Sequence, residues 1–251
     1  MCRKISVRGV TIGEGRPKIC IPLAGRSLEE LLRQAAAAQA LGGDLYEWRM
    51  DCFDSLTELS AAGRALRAAL PDAPLLFTFR TAAEGGQKPL GQADYLALCR
   101  ETAEAGYCDL IDLELFTLGE MLPEITALAG AKGVFTIVSS HDFEKTPPEA
   151  EMFSRLQRMQ AQGADIAKLA VMPQSPEDVL ALLAATLRAK RDLGCLAITM
   201  AMGAMGVVSR ISGELFGSVV TFGAGEQSSA PGQLPAGQLR EILEALSYSS
   251  Q

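Results

Sequence analysis

Lys168 stands inside the apolar run Ile166-Ala167-Lys168-Leu169-Ala170-Val171. A charged, unpaired ammonium in such a run is costly, so the side chain either pairs with a carboxylate or gives up its proton. Two chemistries fit. Lys168 is an interior ion-pair partner of Glu47 or Glu114, or it is a nucleophile that condenses with a ketone to a Schiff base. His141 closes the preceding run, in Ser139-Ser140-His141-Asp142, and is the chain's single histidine. An imidazole there serves as a hydrogen-bonded structural group or as a proton carrier near neutrality. Arg49 and Arg80 each end an apolar run. They are ordinary strand-capping cations, or two guanidinium groups that converge on an anionic, oxygen-rich substrate.

The elements that must position these residues recur along the chain. Short apolar runs lie at Ile19–Leu23, Leu45–Trp48, Leu75–Phe79, Leu110–Leu115, Val134–Val138, Ile166–Val171, Leu196–Met200 and Val219–Phe222. Eight runs in 251 residues give a repeat of about 31 residues, near the size of a βα unit. Helix-start signals lie between them. Ser27-Leu28-Glu29-Glu30, Ser55-Leu56-Thr57-Glu58 and Thr117-Leu118-Gly119-Glu120 read as capping boxes, and Thr146-Pro147-Pro148-Glu149 and Ser175-Pro176-Glu177-Asp178 add proline at the first helical position. Buried strands alternating with helices predict a parallel sheet, and eight units predict its closure into a (β/α)8 TIM barrel of one domain over 1–251. An open doubly wound sheet is the alternative, but no Gly-x-Gly-x-x-Gly follows the first run. Residues 1–16, with Val7, Val10 and Ile12 around Gly9 and Gly13, read as a short N-terminal hairpin closing the barrel bottom. In such a barrel the functional side chains project from the C-terminal ends of the strands. Glu47, Arg49, Arg80, Asp112, Glu114, His141 and Lys168 occupy those stretches.

Composition bounds the function. The chain is 48% hydrophobic and 21% charged, with a net charge of −7, which excludes a disordered chain and disfavours nucleic acid as a partner. No stretch approaches a membrane span, and Met1–Ser6 lacks the apolar run of a signal peptide. The six cysteines include no Cys-x-x-Cys pair and read as cytoplasmic thiols. One histidine and unpaired cysteines give poor support for a metal site.

Seven ordered blocks resemble the type I 3-dehydroquinate dehydratases, over about residues 18–246. They are Glu47-Trp48-Arg49-x-Asp51, Thr78-Phe79-Arg80-Thr81-x-x-Glu84-Gly85-Gly86, Ser139-x-His141-Asp142-Phe143, Ala164-Asp165-Ile166-x-Lys168, Met202-Gly203-x-x-Gly206-x-x-Ser209-Arg210, Phe216-Gly217-Ser218-x-x-Thr221-Phe222 and Ser229-Ala230-Pro231-Gly232-Gln233. The resemblance implies a (β/α)8 barrel that converts 3-dehydroquinate to 3-dehydroshikimate by syn elimination, in the shikimate pathway of aromatic amino acid biosynthesis, as a homodimer without metal or cofactor. Lys168 matches the imine-forming lysine, His141 the proton-transfer histidine, and Glu84 the carboxylate that orients it. Glu47, Arg49 and Arg80 match the group that holds the substrate hydroxyls. Arg210 and Gln233 match the clamp on the substrate carboxylate, Ser229 a residue of the closing loop, and Met200 and Phe222 apolar walls. One departure is the acidic stretch Gly225-Glu226-Gln227-Ser228, where relatives often carry a lysine. The segment Ala224–Gln233 is expected to be a mobile lid.

Three other readings share parts of this pattern. A Schiff-base aldolase shares the lysine but gives no reason for the Ser-Ala-Pro-Gly-Gln block or for Arg210. A barrel for phosphorylated sugars could use Gly203, Gly206, Gly223 and Gly225. A non-catalytic ligand sensor on the same fold has no need to keep Lys168, His141 and Glu84 together.

Overall fold

The computed structural model describes residues 4–226 and 230–247. The chain opens with the expected antiparallel hairpin, β1 (Ile5–Val7) and β2 (Val10–Ile12). Its tight turn places Arg8 and Gly9 at positive φ, the geometry that matches strand twist in a two-residue hairpin. Arg8 accepts that strained backbone while its guanidinium grips Asp109 at 2.8 Å, just before a barrel strand.

Each apolar run then forms a strand: β3 (Lys18–Leu23), β4 (Leu45–Arg49), β5 (Leu75–Thr78), β6 (Leu110–Glu114), β7 (Phe135–Asp142), β8 (Ile166–Val171), β9 (Leu196–Ala201) and β10 (Val220–Phe222). Their order is β10-β3-β4-β5-β6-β7-β8-β9, every pair parallel. A bridge between Ala197 and Ser218 joins β9 to the approach of β10, with Val219 N–H donating to the Ala197 carbonyl at 2.9 Å. The sheet therefore closes into a nearly continuous barrel, and the open-sheet alternative fails.

The helices are α1 (Leu28–Ala40), α2 (Leu59–Ala69), α3 (Gln92–Ala105), α4 (Leu115–Leu118), α5 (Leu122–Ala131), α6 (Glu149–Ala161), α7 (Pro176–Asp192), α8 (Val207–Ile211), α9 (Gly213–Phe216) and α10 (Ala236–Leu246). Among the expected starts, Ser175 forms a full capping box with Asp178, and Ser27 accepts from Glu30 N–H. Two others do not form. Ser55 precedes a short 3-10 turn and bonds the Thr57 hydroxyl, so α2 begins later. Thr117 lies inside α4 and donates to the Glu114 carboxylate. In both, a neighbouring hydroxyl or carboxylate outcompetes the backbone for the side chain. Pro147 and Pro148 stand just outside α6, with Pro148 as its N-cap.

Strand alternation then sorts the side chains. Ile19, Ile21, Trp48, Phe77, Ile111, Leu113, Leu169 and Val171 face outward into a large core shared with the helices. Their neighbours face inward. Reading the inward positions from the N-terminal end gives Leu45-Glu47-Arg49, Leu76-Thr78-Arg80, Leu110-Asp112-Glu114, Ile137-Ser139-His141 and Ile166-Lys168-Ala170. The first of each triplet packs with Ile5, Val7 and Ile12 of the hairpin. The hairpin thus plugs the bottom, and the polar positions are left at the top.

Candidate active site

The upper barrel holds a cavity of about 180 Å³, lined by Glu47, Arg49, Thr78, Arg80, Glu84, Gly85, His141, Phe143, Lys168, Ala170, Met200, Met202, Phe222, Ala230, Pro231 and Gln233. Nine of the eleven residues singled out in the sequence meet here. Ser229 lies outside the described residues. Arg210 stands behind the wall.

Lys168, 4% exposed, is carried in by the middle of β8. Its Nζ donates to Asp112 Oδ2 at 2.9 Å and lies 3.9 Å from Glu47 Oε1 and 4.7 Å from the centre of the Phe222 ring. The ion pair expected with Glu47 or Glu114 is thus made chiefly with Asp112. Glu114 is taken by other donors, namely Arg80, the Thr81 N–H and the hydroxyls of Thr81 and Thr117. Glu47 accepts the Thr78 hydroxyl at 2.8 Å.

Arg80 is the hub of the cluster. One terminal nitrogen donates to Asp112 at 2.8 Å, and the other to Glu114 at 3.0 Å, the Ser139 hydroxyl at 3.1 Å and Glu84 at 3.3 Å. Burial works against its charge, but the surrounding carboxylates outweigh it and raise the group further above the ordinary guanidinium value. Arg49 is held differently, by a two-pronged pair with Asp51 at 2.9 and 2.8 Å. Asp51 is in turn fixed by the backbone N–H groups of Arg80 and Gln87. Both arginines line the cavity, but each is already engaged by carboxylates. Together they organise the site more than they offer free donors.

Glu84 reaches the cavity through a tight turn after β5. Gly86 makes the turn possible, since a Cβ there would fall 1.8 Å from the Arg80 carbonyl. The turn delivers Glu84 Oε2 to His141, 2.9 Å from Nδ1 and 3.1 Å from the backbone N–H. Burial, then the Arg80 and Lys168 cations, push the imidazole well below its ordinary value. Burial also pushes the Glu84 carboxyl up to about 8, with Arg80 opposing. The two act as one acid–base pair, with Nε2 left to face a ligand.

Arg210 sits on α8, which is pinned against the end of β9. Ser209 Oγ accepts from Ala201 N–H and donates to the Gly206 carbonyl, and a Cβ on Gly206 would lie 2.1 Å from the Ala201 carbonyl. Its guanidinium donates to the Pro231 carbonyl at 3.0 Å and lies 3.9 Å from Met200 Sδ. Its Nε is buried with no hydrogen-bond partner. Among the described residues no carboxylate stands within ion-pair distance, and burial alone lowers the group to about 10. A buried guanidinium with spare donors is a site for a carboxylate.

Glu226, after β10, also finds a place. Glu226 accepts two bonds from Arg33 of α1, at 2.6 and 2.7 Å. Asp51, Asp112, Ser139 and Phe143 contribute to the site as well, beyond the residues that match the family's catalytic and binding groups. Among the described residues no group of three or more His, Cys, Asp or Glu is arranged to hold a metal ion, and no helix is long and apolar enough to cross a membrane.

Comparison with known proteins decides the family. The type I 3-dehydroquinase family model matches residues 19–250. This chain belongs to that family. It is 46% identical to the 3-dehydroquinate dehydratase of Bacillus licheniformis, over 98% of each chain, and 47% identical to that of Klebsiella pneumoniae, over 98% of this chain and all of the other. The crystal structure of the type I 3-dehydroquinate dehydratase from Clostridium difficile, with covalently modified comenic acid, superposes with a TM-score of 0.94 at 45% identity, covering 98% of both chains. Membership accounts for the shared blocks. What each side chain does follows from the geometry.

Proposed function

We propose that this chain is a 3-dehydroquinate dehydratase, a hydro-lyase that forms 3-dehydroshikimate through an imine on Lys168. The observation that carries the reading is Lys168 Nζ in the cavity at the top of the barrel, on the strand paired to the one that bears His141. Few other reactions need a buried amine beside an imidazole.

The steps balance. Lys168 attacks the ketone carbon once its ammonium proton has left; the C–N bond forms and the carbonyl π pair moves to oxygen. His141 passes that proton to the oxygen and then carries a second proton from the nitrogen to the same oxygen, and the nitrogen lone pair so freed expels it as water. The result is a cationic iminium. His141 then removes a proton from the adjacent carbon, and the C–H electrons flow to nitrogen as a neutral enamine. Those electrons return to expel the hydroxyl one carbon further on, which leaves as water with the proton from His141. One imidazole on one face of the ring gives syn elimination. Hydrolysis of the product iminium frees Lys168.

Binding follows the charge distribution. Arg210 takes the ring carboxylate, helped by Gln233, and so fixes the carbon acid within reach of His141. Glu47 and Arg49 face the ring hydroxyls, Arg80 keeps the carboxylates in register, and Met200 and Phe222 flank the ring. The pathway is aromatic amino acid biosynthesis. We place the enzyme in the cytoplasm, which suits a chain whose six cysteines include no Cys-x-x-Cys pair, and take the homodimer that the family implies. Light scattering of the purified chain checks the latter, a monomer mass refuting it.

The test is chemical trapping. Borohydride reduction with 3-dehydroquinate, followed by peptide mass spectrometry, should find the reduced adduct on Lys168. Absorbance of the conjugated enone should rise with turnover in parallel samples. An adduct elsewhere, or turnover with none, refutes the mechanism.

A further inference from the structure

We propose that Asp112 is the positioning residue of the reacting nitrogen: it aims the Lys168 amine and then serves as counterion to the iminium that replaces it. This rests on the Schiff-base reading above and adds to it a residue with a distinct, measurable task.

The two oxygens of Asp112 divide their partners. Oδ1 accepts from Ser139 Oγ at 2.6 Å and from Arg80 at 2.8 Å, which fixes the plane of the carboxylate. Oδ2 is left to Lys168 Nζ alone, at 2.9 Å. The side chain is fully buried, so the pair is little screened by solvent. Burial by itself would raise the carboxyl, but Arg80 and Lys168 outweigh it and hold it well below the usual carboxylate range. It remains an anion throughout. Neither other nearby acid is placed for the task, since Glu114 is consumed by its other donors and Glu47 lies a full ångström further from Nζ.

Charge conservation gives the anion its role. A ketone and an ammonium condense to an iminium and water, with one positive charge before and one after. The charge stays on the same nitrogen, so a carboxylate that faces the ammonium faces the iminium with the same geometry. An opposite charge this close favours the protonated form of the imine, typically by about one to three pK units. Only the protonated imine draws electrons from the adjacent C–H bond well enough for elimination. The Phe222 ring on another side of Nζ, at 4.7 Å, favours a cation in the same way.

Asp112→Asn keeps the shape and can still accept from Arg80 and Ser139, but turns an amide toward Nζ. We expect its adduct with 3-dehydroquinate, trapped by borohydride, to form on Lys168 as in the unaltered enzyme. The basic limb of its kcat–pH profile should move to lower pH by about one unit or more, a tenfold loss per unit at fixed alkaline pH. A folded variant, checked by circular dichroism, whose basic limb stays in place overturns the proposal. Ser139→Ala, which removes one of the two groups fixing Oδ1, should move the same limb in the same direction by less. If Asp112→Asn fails to fold, an unmoved limb in Ser139→Ala overturns the proposal instead. Failure to trap any adduct on Lys168 in the unaltered enzyme would refute the Schiff-base reading and this proposal with it. A normal adduct with unmoved limbs refutes this proposal alone.

Discussion

At the N-terminal end of the barrel the inward side chains are Leu45, Leu76, Leu110, Ile137 and Ile166, packed against Ile5, Val7 and Ile12 of the hairpin. Four residues on, along the same strands, stand Arg49, Arg80, Glu114, His141 and Ala170, and between the two rows lie Glu47, Thr78, Asp112, Ser139 and Lys168. One end is an ordinary apolar core. The other buries Arg80, Lys168 and four carboxylates nearly out of solvent, a far more expensive arrangement unless every charge is matched. The cations are well engaged: each touches at least two carboxylates, and Glu84, raised to about 8, sheds its charge at neutral pH. The lower half therefore carries stability, and the upper half is held rigid by it. A site of paired charges tolerates loss of a reacting group better than loss of its support, and the two halves should answer mutation in opposite ways.

The widest separation is expected for Lys168→Ala. Turnover should fall on the order of 10⁶-fold, as when a covalent nucleophile is lost. Asp112 keeps Arg80 and Ser139 as partners, so the variant should still fold. A steady-state enone assay beside a thermal melt checks both halves of the statement. Turnover within tenfold of the unaltered enzyme would refute Lys168 as nucleophile. A collapsed melt would show that the upper half also bears the fold.

The mirror case lies in the hairpin. Ile12 is fully buried at the bottom of the barrel, and Ile12→Ala leaves a cavity there at a cost of about 2–5 kcal/mol. Urea unfolding should show that loss, while kcat and KM below the transition remain within about twofold. A change in kcat comparable with the change in stability would mean that the plug and the site are coupled, contrary to the separation drawn here.

How much of this was legible follows the same division. Strand positions were readable because a buried parallel strand is a nearly continuous apolar run, and β8 falls on Ile166–Val171 as read. The lysine stood out because its charge interrupts such a run. Asp112 is equally interior, but its pairing with Lys168 is less legible, because Glu47 and Glu114 offer the same charge on neighbouring strands. The signal was present: Leu110-x-Asp112-x-Glu114 alternates as Ile166-x-Lys168-x-Ala170 does, which sets both charges on the inner face. The helix starts were less readable. Ser55 and Thr117 have the spacing of capping boxes, but the choice between backbone and a nearby hydroxyl or carboxylate is made by tertiary neighbours that the spacing does not show. Arg210 was legible only through the family blocks, since its lack of a carboxylate partner among the described residues is a property of packing.

The smallest effect expected concerns protons shared by the upper half. In the unfolded chain Glu84 titrates near 4.5 and His141 near 6.5, so the two together hold one exchangeable proton between those values. In the folded chain burial raises Glu84 to about 8 and lowers His141 well below 6.5. The pair then holds one proton from acid pH up to about 8. Below 6.5, down to the lowered His141 value or 4.5, whichever is higher, the counts agree, and this pair contributes no slope to stability. Between 6.5 and 8 the folded state binds the extra proton, so stability falls as pH rises, by at most about 1.4 kcal/mol per unit. Urea unfolding across pH 5.5–8.5 should show the decline above 6.5, and Glu84→Gln should abolish it. Because the chain has one histidine, its imidazole C2 proton resonance reads the same event without overlap. A resonance that titrates with an ordinary midpoint near 6.5, together with a flat stability profile to pH 8, would mean that His141 is exposed to solvent charge after all. The proton would then be held by the imidazole alone and not by the pair.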